Sequence, residues 1–250
     1  MSRVQICKLL ALFCSVLTAG VSFAAAETQP AAGAVEVRIA EVDGQYRVLR
    51  DGEVFEIKGA GLGGGDMEAL ASHGGTAFRT WRTGSRHMTG QEMLDRAHEL
   101  GLMVAMGLAI ARERHGFDYD DEEAVAEQLE YARGEVLKYK DHPALLAWVI
   151  GNELNLQYKN PRFMDAINDI SLMIHEVDGQ HPTTTTLAGF TRELADLVRE
   201  RAPDLDFISI QKYGDIVNLP RYLEEANWDQ PYWVTEWGSV GRPWAICTAR

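Results

Sequence analysis

Apolar positions along this chain follow two rhythms. Between residues 35 and 59, VEVRIAEV and YRVLRDGEVFEIKG alternate apolar and polar residues, the period of a half-buried strand. Asp51-Gly52 divides the second stretch as a hairpin turn does, so a short β-hairpin is expected at the start. From Val54 onward the pattern changes. Short apolar runs, VFEIKGAG, TAFRTW, LMVAMGLAI, LLAWVIGNE, TTTTLAG, DFISIQKY and YWVTEWG, are separated by stretches whose apolar residues recur at helical spacing.

The helices carry their own punctuation. Thr89 and Glu92 form a capping box before Met93, Ala97 and Leu100, and Gly101 ends that helix. Asp120 and Glu123 are expected to cap a second helix, with Val125, Leu129, Ala132 and Val136 on one face and His142-Pro143 at its close. Asn160-Pro161 opens a third, with Phe163, Ile167, Ile170 and Ile174 inward. Two more are expected, from Thr191 to Pro203 and from Pro220 to Ala226.

Strands this apolar are buried on both faces, and strands alternating with helices make a parallel sheet. No GxGxxG follows the first strand, and GLGGGD lacks the lysine of a phosphate-binding loop, so it reads as a plain loop. The expected fold is therefore an α/β (β/α)8 barrel over residues 35–250, in which strand ends carry the chemistry. The seven strands use the chain to about Gly238. The remaining SVGRPWAICTAR is too short for a further helix and strand, so the last unit is expected to be missing.

Composition then narrows the setting. Arg3 and Lys8 precede the apolar LLALFCSVLTAGVSF and a run of small residues, the pattern of a signal peptide cleaved after Ala26, with residues 27–34 as a linker. A secreted or periplasmic protein is expected, with no membrane span after cleavage. Cys7 and Cys14 leave with that segment, and Cys247 alone cannot form an intramolecular disulfide. The formal charge of −13, more negative still without Arg3 and Lys8, argues against nucleic acid and anionic membranes as partners. The seven histidines show no metal-ligand spacing, and neither a metal nor another cofactor is expected. The acidic DYDDEE suits a helix start, and no G-x-S-x-G elbow is present.

Two carboxylates stand out. Glu153 ends the fourth strand and Glu236 the seventh, 83 residues or three strand-helix units later. That spacing puts both on one rim of a barrel, facing one mouth. Two carboxyls there, one protonated and one ionised, are what glycoside hydrolysis needs. Arg79, ending the second strand, is placed to keep Glu236 ionised, and Asn152 to donate to a sugar hydroxyl. Trp81, Tyr213, Trp237 and Trp244 offer flat faces for sugar rings, whereas Trp148, Trp228 and Trp233 read as structural. Arg112 and His115, after the third strand, are further candidates to line the mouth.

These residues also carry a resemblance. AWVIGNELN followed by WVTEWG resembles the clan A glycoside hydrolases, in which an Asn-Glu pair ends strand four and a lone Glu ends strand seven. YRVLRDGEVFEIKGAG, HPALLAWVIGNELN and DFISIQKYG resemble the barrel domain of family 2, the β-galactosidase, β-glucuronidase and β-mannosidase group. The resemblance implies a retaining mechanism with Glu153 as acid/base and Glu236 as nucleophile. It implies that Asn152 contacts the 2-hydroxyl, that Arg79 is the strand-two arginine, and that Tyr213 hydrogen-bonds the nucleophile. The expected function is hydrolysis of β-linked hexose units, with a carbohydrate as partner. A carbohydrate-binding protein without turnover and a transglycosylase are the alternatives.

Overall fold

The computed structural model describes residues 33–63 and 65–238. The expected signal peptide, nearly all of the expected linker, all three cysteines, Trp244 and the stretch on which a missing unit was expected lie outside them.

The chain begins with a three-stranded antiparallel sheet rather than a single hairpin: β1 (Val37–Val42), β2 (Gln45–Arg50) and β3 (Glu53–Phe55). Two turns of the same chemistry connect them. Asp43-Gly44 and Asp51-Gly52 all have positive φ (53°, 73°, 49° and 83°), the backbone of a tight two-residue hairpin turn. The first Asp-Gly pair is as plain in the sequence as the second.

A seven-stranded parallel sheet follows, built from β4 (Gly59–Gly61), β5 (Ala77–Arg79), β6 (Met103–Leu108), β7 (Leu145–Ile150), β8 (Thr183–Ala188), β9 (Phe207–Tyr213) and β10 (Tyr232–Gly238). Neighbours in sequence are neighbours in the sheet, from β4 at one edge to β10 at the other. The edge strands come within 8 Å of each other, so the sheet curls into a nearly closed barrel. The expected strand VFEIKGAG is broken: its first part pairs in the small sheet as β3, and only Gly59–Gly61 joins the barrel.

Among the described residues six α-helices pack around this sheet: α1 (Met67–Ser72), α2 (Gly90–Glu99), α3 (Glu122–Tyr139), α4 (Arg162–Val177), α5 (Arg192–Arg201) and α6 (Leu219–Glu225). Helix α1 has no counterpart among the expected elements. It is less than two turns long, too short for a periodic apolar face, and its cap is Asp66. The Thr89–Glu92 capping box of α2 forms in full. Helix α3 is capped by Asp121, whose carboxylate accepts from Ala124 N at 3.1 Å; the expected Asp120 is one residue early.

Strand residues alternate between two cores. Val104, Met106 and Leu108 of β6 join Met93, Ala97, Phe163, Ile167 and Ile170 in the layer between sheet and helices. The side chains that alternate with them, Met103 and Ala105, face inward. Met103 clusters with Ala77, Leu146 and, from the small sheet, Val37 and Val48. The three-stranded sheet therefore packs on the inward face of the barrel. Each large apolar side chain so buried stabilises the fold by about 1.5–3 kcal/mol. Trp148 is fully buried, and its indole N–H is satisfied by Asp178 at 2.6 Å. Trp233 packs against Phe207 in a tilted pair, ring centroids 4.1 Å apart.

The run Thr183–Thr186 is entirely buried, an unusual place for four hydroxyls. They find partners. Thr185 donates to Ile150 O at 2.7 Å, Thr183 donates to Asp206 at 3.0 Å, and Thr184 meets Ser209 at 3.3 Å. Thr186 reaches the turn that follows β7.

Candidate active site

Strand β7 ends at Ile150, so Glu153 lies beyond the strand, not on it. Gly151 (φ 73°) and Glu153 (φ 51°) both take left-handed backbone conformations. A side chain at 151 would also meet Leu154 Cδ1 at 2.8 Å, so both the backbone conformation and the packing favour glycine there. For glutamate such a conformation is strained by roughly 1 kcal/mol or more. Its backbone is pinned from both sides. Glu153 N–H donates to both the carbonyl and the hydroxyl of Thr186, each at 3.1 Å, and Arg114 donates to Glu153 O. Arg112 Nε donates to Asn152 O at 3.1 Å. The buried threonine run and the two arginines thus shape the Asn152-Glu153 turn.

Glu236 is aimed by a different device. Strand β10 pairs with β9 as Val234↔Ile210 and then Glu236↔Gln211, leaving Thr235 as an extra, bulged residue. Ile210 belongs to the outer core, so Gln211 faces the barrel interior, and Glu236 beside it does too. Without the bulge, strict alternation from Val234 would turn Glu236 outward toward the helices.

Once inside, Glu236 is clasped. Arg79 donates to its Oε1 at 2.5 Å, Trp81 Nε1 to the same oxygen at 2.7 Å, and Tyr213 OH to Oε2 at 2.8 Å. The Arg79 guanidinium is almost wholly buried, and its Cζ lies 5.1 Å from the centre of the Trp81 ring. Burial draws the guanidinium below the usual arginine range, and Glu236 opposes that shift. Tyr213 is pushed above the usual phenol range, first by its bond to Glu236, so it remains a donor.

Arg79 also donates to Asn152 Oδ1, as do Gln211 Nε2 at 2.9 Å and Thr186 Oγ1 at 3.4 Å. An arginine can only donate, so this contact fixes which end of the Asn152 amide is oxygen. Asn152 Nδ2 has no partner among the described residues and is left to donate elsewhere. Gln211 was not among the expected site residues, because a glutamine on a strand carries no signal of its partner.

The Glu153 carboxylate, by contrast, has no hydrogen-bond or ion-pair partner among the described residues. Its pKa is raised, first by burial and then by the charge of Glu236; Arg114, Arg112 and Arg79 oppose the shift. The two carboxylates therefore feel each other across the site. One is held by three donors, and the other is bare and biased toward its protonated form.

A cavity of about 900 Å³ opens on Glu236, lined by Arg79, Trp81, Tyr213 and Trp237 among others. Tyr213 is half exposed and Trp237 is 59% exposed, the latter with no hydrogen bond to the clasped carboxylate. A second cavity of about 520 Å³ lies alongside, bounded by Trp81, Asn152, Arg112 and His115. Trp148 and Trp228 line neither. Among the described residues no group of three potential metal ligands comes together, and no helix is long and apolar enough to cross a membrane.

No family model matches this sequence, and no curated protein matches it significantly. Solved structures do. A β-D-glucuronidase of Dictyoglomus thermophilum superimposes with a TM-score of 0.62 at 19% identity, covering 81% of this chain and 39% of its own. A glycosyl hydrolase family 2 member from Bacteroides cellulosilyticus gives 0.60 at 16% identity, covering 80% of this chain and 26% of its own. A family 2 β-galacturonidase from Eisenbergiella tayi, bound to galacturonate, gives 0.57 at 16% identity, covering 81% and 38%. The chain thus spans less than two-fifths of the length of each. Its described residues share the fold of part of these glycosidases, a barrel of parallel strands wrapped in helices.

Proposed function

We propose that this protein is a retaining glycoside hydrolase acting on β-linked hexose units. The single observation that carries the reading is the contrast between the two carboxylates. Glu236 accepts from Arg79, Trp81 and Tyr213, the bonding of an ionised, oriented nucleophile. Glu153 is unpartnered, with a raised pKa, as a general acid must be. The fold shared with glucuronidases and a galacturonidase supports a glycoside as the substrate class.

In the first step Glu236 attacks the anomeric carbon while Glu153 gives its proton to the departing glycosidic oxygen. A glycosyl ester on Glu236 and a free alcohol result. In the second step Glu153, now a carboxylate, takes a proton from water, the water oxygen attacks the anomeric carbon, and the ester bond to Glu236 breaks. Asn152 Nδ2 donates to a hydroxyl of the bound sugar. The signal-peptide pattern of residues 1–26 supports an activity exerted outside the cytoplasm.

The test is a panel of aryl β-glycosides with the full chain and its Glu236→Ala variant. Hydrolysis of at least one glycoside, abolished in the variant, supports the reading. A turnover that survives Glu236→Ala overturns it.

A further inference from the structure

The loops after β5 and β6 depart from the rest of this acidic chain. The stretch TWRTGSRHMT (80–89) has no acidic residue but holds Arg82, Arg86 and His87. ARERHG (111–116) adds Arg112, Arg114 and His115. The acid among these, Glu113, is turned away: its Oε2 accepts from the backbone of Lys159 at 2.7 Å and Asn160 at 3.1 Å.

Two of these arginines and one of the histidines meet in the 520 Å³ cavity beside the candidate active site. Arg82, Arg112 and His115 line it, and no Asp or Glu does. Arg82 and His115 have no hydrogen-bond or ion-pair partner among the described residues, and Arg112 bonds only the carbonyl of Asn152. Burial, and then the like charges of Arg114 and Arg82, push Arg112 below the usual arginine range, with Glu153 opposing. Clustered cations without a counter-ion are unfavourable unless something negative joins them. Trp81 lines both this cavity and the one on Glu236, and Asn152, which lines this one, accepts from Arg79, so the two spaces adjoin.

We infer that this cavity is an anion subsite, in which Arg82, Arg112 and His115 receive a carboxylate or sulfate group borne by a sugar unit next to the one being cleaved. Guanidinium forks match the paired oxygens of either group. Trp81 offers its ring to the sugar that carries the anion. The assignment to a sugar rests on the glycosidase reading; the anion site itself does not.

Inorganic sulfate is the direct probe. In the full chain, sulfate replaces chloride at constant ionic strength while the His115 imidazole resonances, assigned with His115→Gln, are followed. The expected result is a saturable shift of those resonances. Arg82→Gln weakens sulfate at least fivefold, whereas Arg86→Gln, on the same loop but not lining the cavity, changes it less than twofold. Arg82 is exposed and unbonded, so its substitution leaves the fold undisturbed. A shift that is linear in sulfate, or equal affinities in wild type and Arg82→Gln, overturns the subsite. Competition then identifies the source. Displacement of sulfate by a uronate disaccharide points to a carboxylate, and by a sulfated disaccharide to a sulfate ester. A neutral disaccharide that competes as well as both, or no displacement by any, overturns the sugar assignment. Saturable sulfate without Glu236-dependent hydrolysis keeps the anion site and removes the glycosidase reading. Hydrolysis without saturable sulfate does the reverse.

Discussion

The two strand ends that supply Glu153 and Glu236 solve opposite problems. After β7 the backbone does the holding. A left-handed turn is pinned by Thr186 and Arg114, and the Glu153 side chain is left without a partner. At β10 the side chain is held. A one-residue bulge turns Glu236 inward, where three donors receive it. An acid that must gain and lose a proton is served by a fixed position and few bonds, since each bond to the ionised form lowers its pKa. A nucleophile that must stay ionised and aligned is served by donors.

The largest expected effect tests the clasped side of this contrast. On the proposed mechanism, Glu236→Ala should lower hydrolysis by roughly four to six orders of magnitude, read as kcat/KM on the best aryl β-glycoside, because the covalent route is lost. Next comes Arg79→Met. It removes the buried cation shared by Glu236 and Asn152, so it should cost about 3 kcal/mol in denaturant unfolding and on the order of 100-fold or more in kcat. Should Arg79→Met unfold at the wild-type midpoint, the clasp is not what holds Glu236.

The bare side predicts a pattern rather than a simple loss. Glu153→Gln should reduce hydrolysis of glycosides with poor leaving groups by about 10²–10⁴-fold, yet spare those with activated aryl groups in the first step. The raised pKa of Glu153 means that wild-type kcat/KM falls on the alkaline side, at a pH above the ordinary glutamate range, and that this limb disappears in the variant. Equal losses on all substrates, or an unchanged alkaline limb, would break the contrast. The same shift has a consequence for stability. A raised folded-state pKa favours the protonated form, so keeping Glu153 ionised in the folded protein is unfavourable at neutral pH. Glu153→Gln should therefore raise Tm at pH 7, and the gain should vanish below about pH 4, where the wild-type group is protonated in both states.

A smaller effect reaches Glu236 through packing. A Cβ at Gly107 would lie 2.5 Å from Thr80 O and 2.6 Å from Trp81 C, so β6 and the turn carrying Trp81 approach too closely for alanine. Gly107→Ala should cost about 1–3 kcal/mol of stability and shift Trp81 from Glu236. Unfolding by urea gives the first, and an altered tryptophan fluorescence spectrum the second.

Much of this was legible in the chain. Helix α2 could be placed from Thr89 and Glu92 because a capping box is local chemistry, and the apolar run before Gly151 announced a buried strand for the same reason. Glu153 and Glu236 could be paired because the repeat length of the units is itself a sequence quantity. Other features left a weak trace. Helix α1 is too short for periodicity to register, and Asp120 and Asp121 differ as caps only by which carboxylate the folded turn brings to the free N–H groups.

The sequence by itself determined the alternation of strands and helices, the two Asp-Gly turns of the first sheet, and the strand ends at which carboxylates arrive, since each depends on residues a few positions apart. Only the tertiary structure decided which way those carboxylates point and what meets them. The Thr235 bulge arises from the register of β10 on β9. Of the donors of Glu236, between 23 and 157 residues away, Arg79 and Tyr213 were expected from the sequence and its resemblance, whereas Trp81, expected as a platform for sugar, became a donor only in the fold. The orientation of Asn152 depends on Arg79 and Gln211, and the cluster of Arg82, Arg112 and His115 on two loops brought side by side. Contacts of that separation exist only after the barrel has curled, so no local pattern encodes them.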